Sequence, residues 1–205
     1  MKAKLSTALI LMASGFLMAF QLSTDPIKSL DAPEWEVDPA HSSISFTITH
    51  FFTPVQGRFD EFESMLMFSP EHLEESKAEF TVKVASINTQ QTKRDNHLKS
   101  VDFFHAEKFP DMHFESTKFR KKGRDVYVVH GNLKIRDVIQ EVAVPFQVLG
   151  TMDNPMKEGY ELTSLRAEFT IDRTEFGVGT GSWAATTVVG DEVNVTLFFE
   201  ANRKK

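Results

Sequence analysis

The sequence contains no cysteine. Disulfides, thiolate metal sites, a cysteine nucleophile and a lipid-anchored cysteine at the start of a mature chain are therefore excluded. An exported chain without cysteine must be stable through its hydrophobic core alone, which favours a closed, well-buried architecture. Tryptophan and tyrosine are nearly missing, at 2 each against 19 phenylalanines. Phenylalanine has no polar atom to satisfy, so this imbalance suits a large dry interior, filled either by side chains or by a ligand. Positive charge is in deficit, with 23 Lys and Arg against 29 Asp and Glu and a formal net charge of -6, which argues against a general nucleic-acid binder. No stretch resembles an interdomain linker and no internal repeat is visible. With 205 residues and 41% hydrophobic content, one domain can bury a sizeable core.

The long hydrophobic run lies at the N-terminus. Lys2 and Lys4 precede an apolar stretch from Leu5 to Phe20, short for a membrane span and followed by polar sequence. Residues 1–19 read as an export signal, with Ala19 at the cut and Ala13 with Gly15 as an alternative; an uncleaved anchor is the competing reading. Residues 20–33 carry Ser, Thr, Asp and Pro without a period and read as a flexible leader, so the folded domain is expected over 34–202.

From Ser42 onward the chain alternates. Ile44, Phe46, Ile48 and His50 share one face and Ser43, Ser45, Thr47 and Thr49 the other. Similar runs follow around Phe59–Phe68, Phe80–Val84 and Met112–Ser116. Then come Tyr127–Ile135, Val142–Val148, Leu165–Ile171 and Val193–Phe199. Pro145 is out of phase with its apolar neighbours and suggests an edge or bulge. Arg203, Lys204 and Lys205 read as a solvated tail. About eight strands with turn signals between them mean a sandwich or an antiparallel barrel, and closure favours the barrel. The fold class is all-β, with one short helical segment near Arg94 to Phe104.

That segment belongs to the stretch from Asn88 to Phe104, dense with charge and ending on Phe103 and Phe104. It reads either as a solvated crossing of the sheet or as the mouth of a container. Signals for catalysis are few. Gly177-Val178-Gly179-Thr180-Gly181 lacks the following helix of a dinucleotide fingerprint, and no serine sits in a nucleophile elbow. His41, His50 and His97 have no short ligand spacing, so satisfied or pocket-lining histidines are favoured over a metal site.

Trp35-x-Val37-Asp38-x-x-His41-Ser42-x-Ile44-x-Phe46, Gly57-Arg58-Phe59, Arg94-Asp95-x-His97-Leu98, Phe103-Phe104, Phe109-Pro110, Phe114-x-Ser116-Thr117 and Arg173-x-x-Phe176-Gly177 together resemble the YceI-like family. The resemblance covers Trp35 to Ala201. It implies a lipocalin-like eight-stranded barrel, exported to the periplasm, that carries or sequesters a long isoprenoid such as a polyprenyl pyrophosphate or polyprenyl quinone. From the few catalytic signals and the histidine spacing, no catalysis, no metal and no cofactor are expected. A homodimer and transient membrane contact are further expectations, and no nucleic-acid partner is expected. The alternatives are a lipid-modifying enzyme or a stress-response protein using the same cavity, and a purely structural barrel. The expected tunnel lining is Phe46, Ile48, Phe51, Phe52, Phe59, Phe103, Phe104, Phe114 and Phe176. Arg94, His97 and Arg173 are the expected head-group contacts, with Arg58 a rival. Asp137 stands where the family commonly has a turn glycine, a position that Asp tolerates better than most residues.

N-terminal sequencing of the protein from fractionated cells is expected to start after Ala19; an intact Met1 on a soluble cytoplasmic product would refute export.

Overall fold

A computed structural model describes residues 32–205, so the expected signal peptide and most of the leader lie outside the described residues. Eleven strand segments form one antiparallel sheet that closes on itself. They are β1 (Glu34–Val37), β2 (Ser43–His50), β3 (Thr53–Phe59), β4 (Phe62–Met67), β5 (Lys77–Lys83) and β6 (Ile87–Asn88), then β7 (Asp111–Lys121), β8 (Val126–Ile135), β9 (Val138–Asp153), β10 (Tyr160–Asp172) and β11 (Val189–Lys204). They amount to eight staves because three staves are interrupted. Around the bend at Pro39–His41, β1 and β2 lie along opposite ends of β11. Likewise β4 pairs with β1, and β3 with β2. Beyond the turn at Val84–Ser86, β6 pairs with β3 while β5 pairs with β4. The ring closes where β1 meets both β4 and β11, giving the expected eight-stranded antiparallel barrel.

The alternating faces explain the interior. Phe46 and Ile48 of β2, Phe114 of β7 and Val144 and Phe146 of β9 point inward, while Thr47, Glu115 and Gln147 do not. One end of the barrel is filled with rings. Phe68 packs against Tyr127 at 5.2 Å and Phe146 at 5.4 Å between centroids, with Phe119 6.0 Å away. At the other end α1 (Thr92–Lys99) and the segment between β10 and β11 lie across the opening. The helix is shorter than expected, and hydrogen-bonded turns carry the chain on through Phe104.

Three expectations at the margins are corrected. Ala32 is buried and the Pro33 carbonyl accepts from Phe68 N at 3.1 Å, so the leader ends earlier than residue 33. The C-terminus is not a free tail. Here β11 runs to Lys204, and Arg203 both pairs with Glu161 at 2.5 Å and lies 4.6 Å from the Trp35 ring. In the β8–β9 turn the left-handed residue is Arg136, with φ 57, rather than Asp137. Pro145 sits where the β9–β10 ladder stops, opposite the end at Phe146 and Ala167, which agrees with an edge position.

Two glycines set how closely the rings lie on the sheet. Gly57 faces Phe46 across β2–β3, and Gly131 lies beneath Phe114 on β7–β8. A Cβ on Gly131 would come 2.5 Å from the Phe114 ring and from the Glu115 carbonyl oxygen, which is backbone and cannot step aside. Gly131→Ala is therefore expected to cost about 1–3 kcal/mol by urea denaturation. Gly150→Ala, where a Cβ meets nothing within 4 Å, should stay within about 0.5 kcal/mol. Equal effects of the two would contradict this packing.

Candidate ligand cavity and its mouth

The barrel encloses a cavity of about 630 Å³. Its wall is built from inward-facing Phe, Ile, Leu and Val on the strands, and its floor includes Phe119, Phe146 and Phe199. Polar side chains gather at the α1 end, where Thr89, Gln91, Lys93, Arg94 and His97 all face it. Water inside such a wall would find few partners and would be readily displaced by an apolar molecule.

Thr89 organises the mouth. Its N–H donates to Asp95 Oδ1 at 2.9 Å and its hydroxyl donates to the same oxygen. Arg94 Nε donates back to Thr89 Oγ1 and Nη2 to the Thr89 carbonyl, both at 2.7 Å. Gln91 caps α1 by accepting from Arg94 N. This local folding draws Asp95 Oδ1 into the loop, while Arg94, which lines the cavity, has no hydrogen bond from Nη1 among the described residues. His97 Nε2 lies 3.0 Å from Asp102 Oδ2, and its ring meets Phe103 and Trp183 edge-on at 5.0 and 4.9 Å.

Of the residues expected to line a tunnel, Phe46, Ile48, Phe59, Phe103, Phe104 and Phe114 line the cavity. Phe51 and Phe52 do not. They form the tip of the β2–β3 turn, where Phe52 is 97% exposed and alternation no longer aims a side chain inward. Phe176 is fully buried but off the cavity, at the end of the short turn Thr174–Phe176 that packs on β9. Arg58 pairs with Asp60 at 2.6 Å on the exposed surface.

Arg173 touches the cavity but is only 4% exposed, and its donors are spent. Nε donates to the Gly190 carbonyl, Nη1 to those of Val178 and Gly179, and Nη2 to those of Trp183 and Val189. All five N–H groups are satisfied by backbone. Burial lowers its pKa from the ordinary value, against the pull of the Asp172 and Asp191 carboxylates. Arg173 is thus the staple of the loop between β10 and β11, and not a free head-group contact. Gly177, Gly179 and Gly181 of this loop have positive φ, and a Cβ on Gly179 would collide with the Arg173 guanidinium. The glycine pattern that resembled a phosphate loop serves to wrap the chain around an arginine.

Of the three histidines, His50 and His97 line the cavity, and His41 is exposed elsewhere. His41 Nδ1 lies 2.8 Å from Asp38 Oδ2 and 3.8 Å from Glu200 Oε1. The Asp38 hydrogen bond raises the His41 pKa, and the same bond lowers that of Asp38. This cluster braces the bend between β1 and β2. Thr89, Gln91 and Lys93 fall within the stretch read as a possible mouth but, like Trp183, were not named as site residues. Lys93 and Gln91 were legible as polar neighbours of Arg94, whereas Trp183 had no local signal. Arg136 was missed as well: it donates to the Phe103 carbonyl at 2.9 Å and to that of Gly177, tying the β8–β9 turn to both mouth segments.

A closed barrel with an apolar interior and polar side chains at one end is the architecture of a container. The chain belongs to the YceI-like family, whose YceI-like domain matches residues 35–201. It is 33% identical over 121 residues to a UPF0312 protein of Photorhabdus laumondii, covering 58% of this chain and 62% of that one. It is 28% identical to Protein YceI of Salmonella arizonae over 93% of this chain and 97% of that one. Among solved structures it is similar to Burkholderia cenocepacia BcnA, with TM-score 0.73, 27% identity, and coverage of 80% and 99%. A polyisoprenoid binding domain from Saccharophagus degradans shares the fold, with TM-score 0.60 at 11% identity over 83% of this chain and 98% of that one.

Arg173→Met is expected to lower unfolding stability by at least about 3 kcal/mol, because several buried carbonyls lose their donors at about 1 kcal/mol or more each. Denaturant titration checks this. A stable variant with altered preference for charged head groups would return Arg173 to the ligand site.

Proposed function

We propose that this protein holds the tail of a long isoprenoid lipid in its barrel and carries or sequesters it without chemistry. The observation that carries the reading is the 630 Å³ cavity, apolar along its walls and polar at one end. It supports a ligand with a long apolar tail and a polar head. Kinship with the Saccharophagus degradans domain, described as polyisoprenoid-binding, supports the same reading through the fold. The head group rests at the mouth, where the free Nη1 of Arg94 and the exposed Lys93 suit an anion such as pyrophosphate. The charge run from Lys2 to Lys4 and the apolar segment after it support action in the periplasm, after export.

At the mouth, the histidine–carboxylate pair that a lipid-modifying enzyme could use is His97–Asp102. The nearby Ser100 Oγ donates to the His97 carbonyl at 2.7 Å rather than to the imidazole, so the pair does not activate it as a nucleophile.

Burying each methylene is worth roughly 0.8 kcal/mol, so affinity should come mainly from the tail and orientation from the head. Titrating delipidated protein with prenyl pyrophosphates of increasing length should show affinity rising until the cavity is full. Arg94→Gln should weaken charged-head ligands several-fold, about 1 kcal/mol, and leave neutral prenyl alcohols unchanged. Indifference to tail length in a correctly folded barrel would remove the carrier reading.

A further inference from the structure

The turn between β2 and β3 is built against its own stability. His50 pairs with Thr53, so Phe51 and Phe52 alone make the turn. Phe51 has φ 53, a left-handed conformation that glycine or asparagine adopts easily and a bulky side chain does not. Its side chain is 54% exposed, and that of Phe52 almost wholly so. Neither ring contributes to the core. Strain retained for two exposed aromatic residues points to a role outside the fold.

The surroundings of this tip carry no formal charge. Ser42 to Gly57 contains no Asp, Glu, Lys or Arg, and neither does Phe176 to Gly190, in a chain that is 25% charged. These stretches are neighbours in space, since Phe51 N donates to the Val188 carbonyl at 2.9 Å and His50 pairs with Val189. His50 and Val189 both line the cavity, so the uncharged rim borders its mouth. On the α1 side of the mouth, Val101 is exposed, Lys93 and Arg94 line the cavity, and Lys99 ends the helix. The carboxylates there are engaged, Asp95 by Thr89 and Asp102 by His97.

We propose that this rim is a membrane-docking surface: the Phe51–Phe52 tip enters the interfacial layer of a phospholipid bilayer, Lys93 and Lys99 meet lipid phosphates, and the cavity mouth opens onto the lipid. The proposal rests on reading the barrel as a container for an isoprenoid, whose source and destination are membranes. A two-residue convex tip offers far less than the roughly 800 Å² per partner of a stable protein interface, which disfavours a second copy as the occupant. A bilayer interface, in contrast, accepts single aromatic rings, and lysines at its edge strengthen the contact. Two rings give weak and reversible attachment, as exchange of a ligand requires.

The test uses protein isolated from the soluble extract of its native cells, mixed with vesicles of phosphatidylcholine alone or with phosphatidylglycerol, and read by co-sedimentation. Wild type should partition onto both, more strongly with the anionic lipid. Phe52→Glu and Phe51→Gly should each reduce partition roughly ten-fold. Phe51→Gly should melt no lower than wild type, because glycine relieves the left-handed turn, whereas a packing role would lower it. In parallel, affinity for a detergent-dispersed prenyl ligand should be unchanged in both variants. Ligand binding without vesicle binding by wild type would overturn docking and leave the container standing. Vesicle binding lost in the variants, with no ligand bound by any form, would sustain docking and sink the container. Loss of self-association in the variants, with vesicle binding absent throughout, would make the tip an interface between copies and overturn the proposal.

Discussion

The interior exists because a strand of four residues hydrogen-bonds on both sides. On one flank β1 pairs with β4 through Glu34 and Trp35, and on the other with β11 through Glu36 and Val37. Without those pairs the sheet has two open edges, which invite aggregation and admit water to the apolar face. So short a ladder needs reinforcement, and Trp35 supplies it. Its indole N–H donates to the Phe68 carbonyl at 3.0 Å, beside the ring cluster that fills this end. Arg203, near the C-terminal end of β11, lies on the face of the same indole and pairs with Glu161 on β10. The seam is thus held by backbone, ring and charge from four staves.

Closure alone would give a filled barrel, since eight staves normally leave room for little beyond their own side chains. Space is made by placing rings against glycine. Phe46 lies over Gly57 and Phe114 over Gly131, which keeps both rings near the wall. At the far end the rings meet one another instead, with Tyr127 and Phe146 stacked at 5.5 Å and Phe80 on Phe199 at 4.9 Å. The large phenylalanine content therefore does two jobs: it plugs one end and papers the walls of the rest.

Strands, their faces and the antiparallel barrel were legible because alternation is a local signal, repeated at each stave. The phenylalanines that line the cavity from within strands followed from the same signal, and the exceptions mark where it stops. Phe51 and Phe52 continue an apolar run but occupy a turn, so their orientation is set by the hairpin and not by the pleat. Arg203 looked like a solvated tail because its partners, Trp35 and Glu161, are far away in sequence. The split of β1 from β2 was hidden for a similar reason: Asp38 caps the intervening bend by accepting from Ala40 N at 2.9 Å, a turn signal embedded in a strand pattern. The helix boundary was blurred because α1 buries none of its residues, so no apolar period marks its end.

Arg94 and Arg173 show why residue type alone could not tell which arginine has a donor to spare. Both are arginines beside an aspartate, both reach the same cavity, and both stood as anion binders from sequence. The distinction lies in counting donors. Arg173 is enclosed by a loop whose glycines turn five carbonyls toward it, so its charge is already solvated by peptide dipoles and an incoming anion would have to strip them away. Arg94 is half-buried on one turn of helix, spends Nε and one Nη2 proton on Thr89, and keeps Nη1 for a partner. Asp95 is held to the loop by two donors from Thr89, both on Oδ1. The same threonine therefore holds both the arginine and one carboxylate oxygen, which fixes how Arg94 sits among the polar side chains at the mouth.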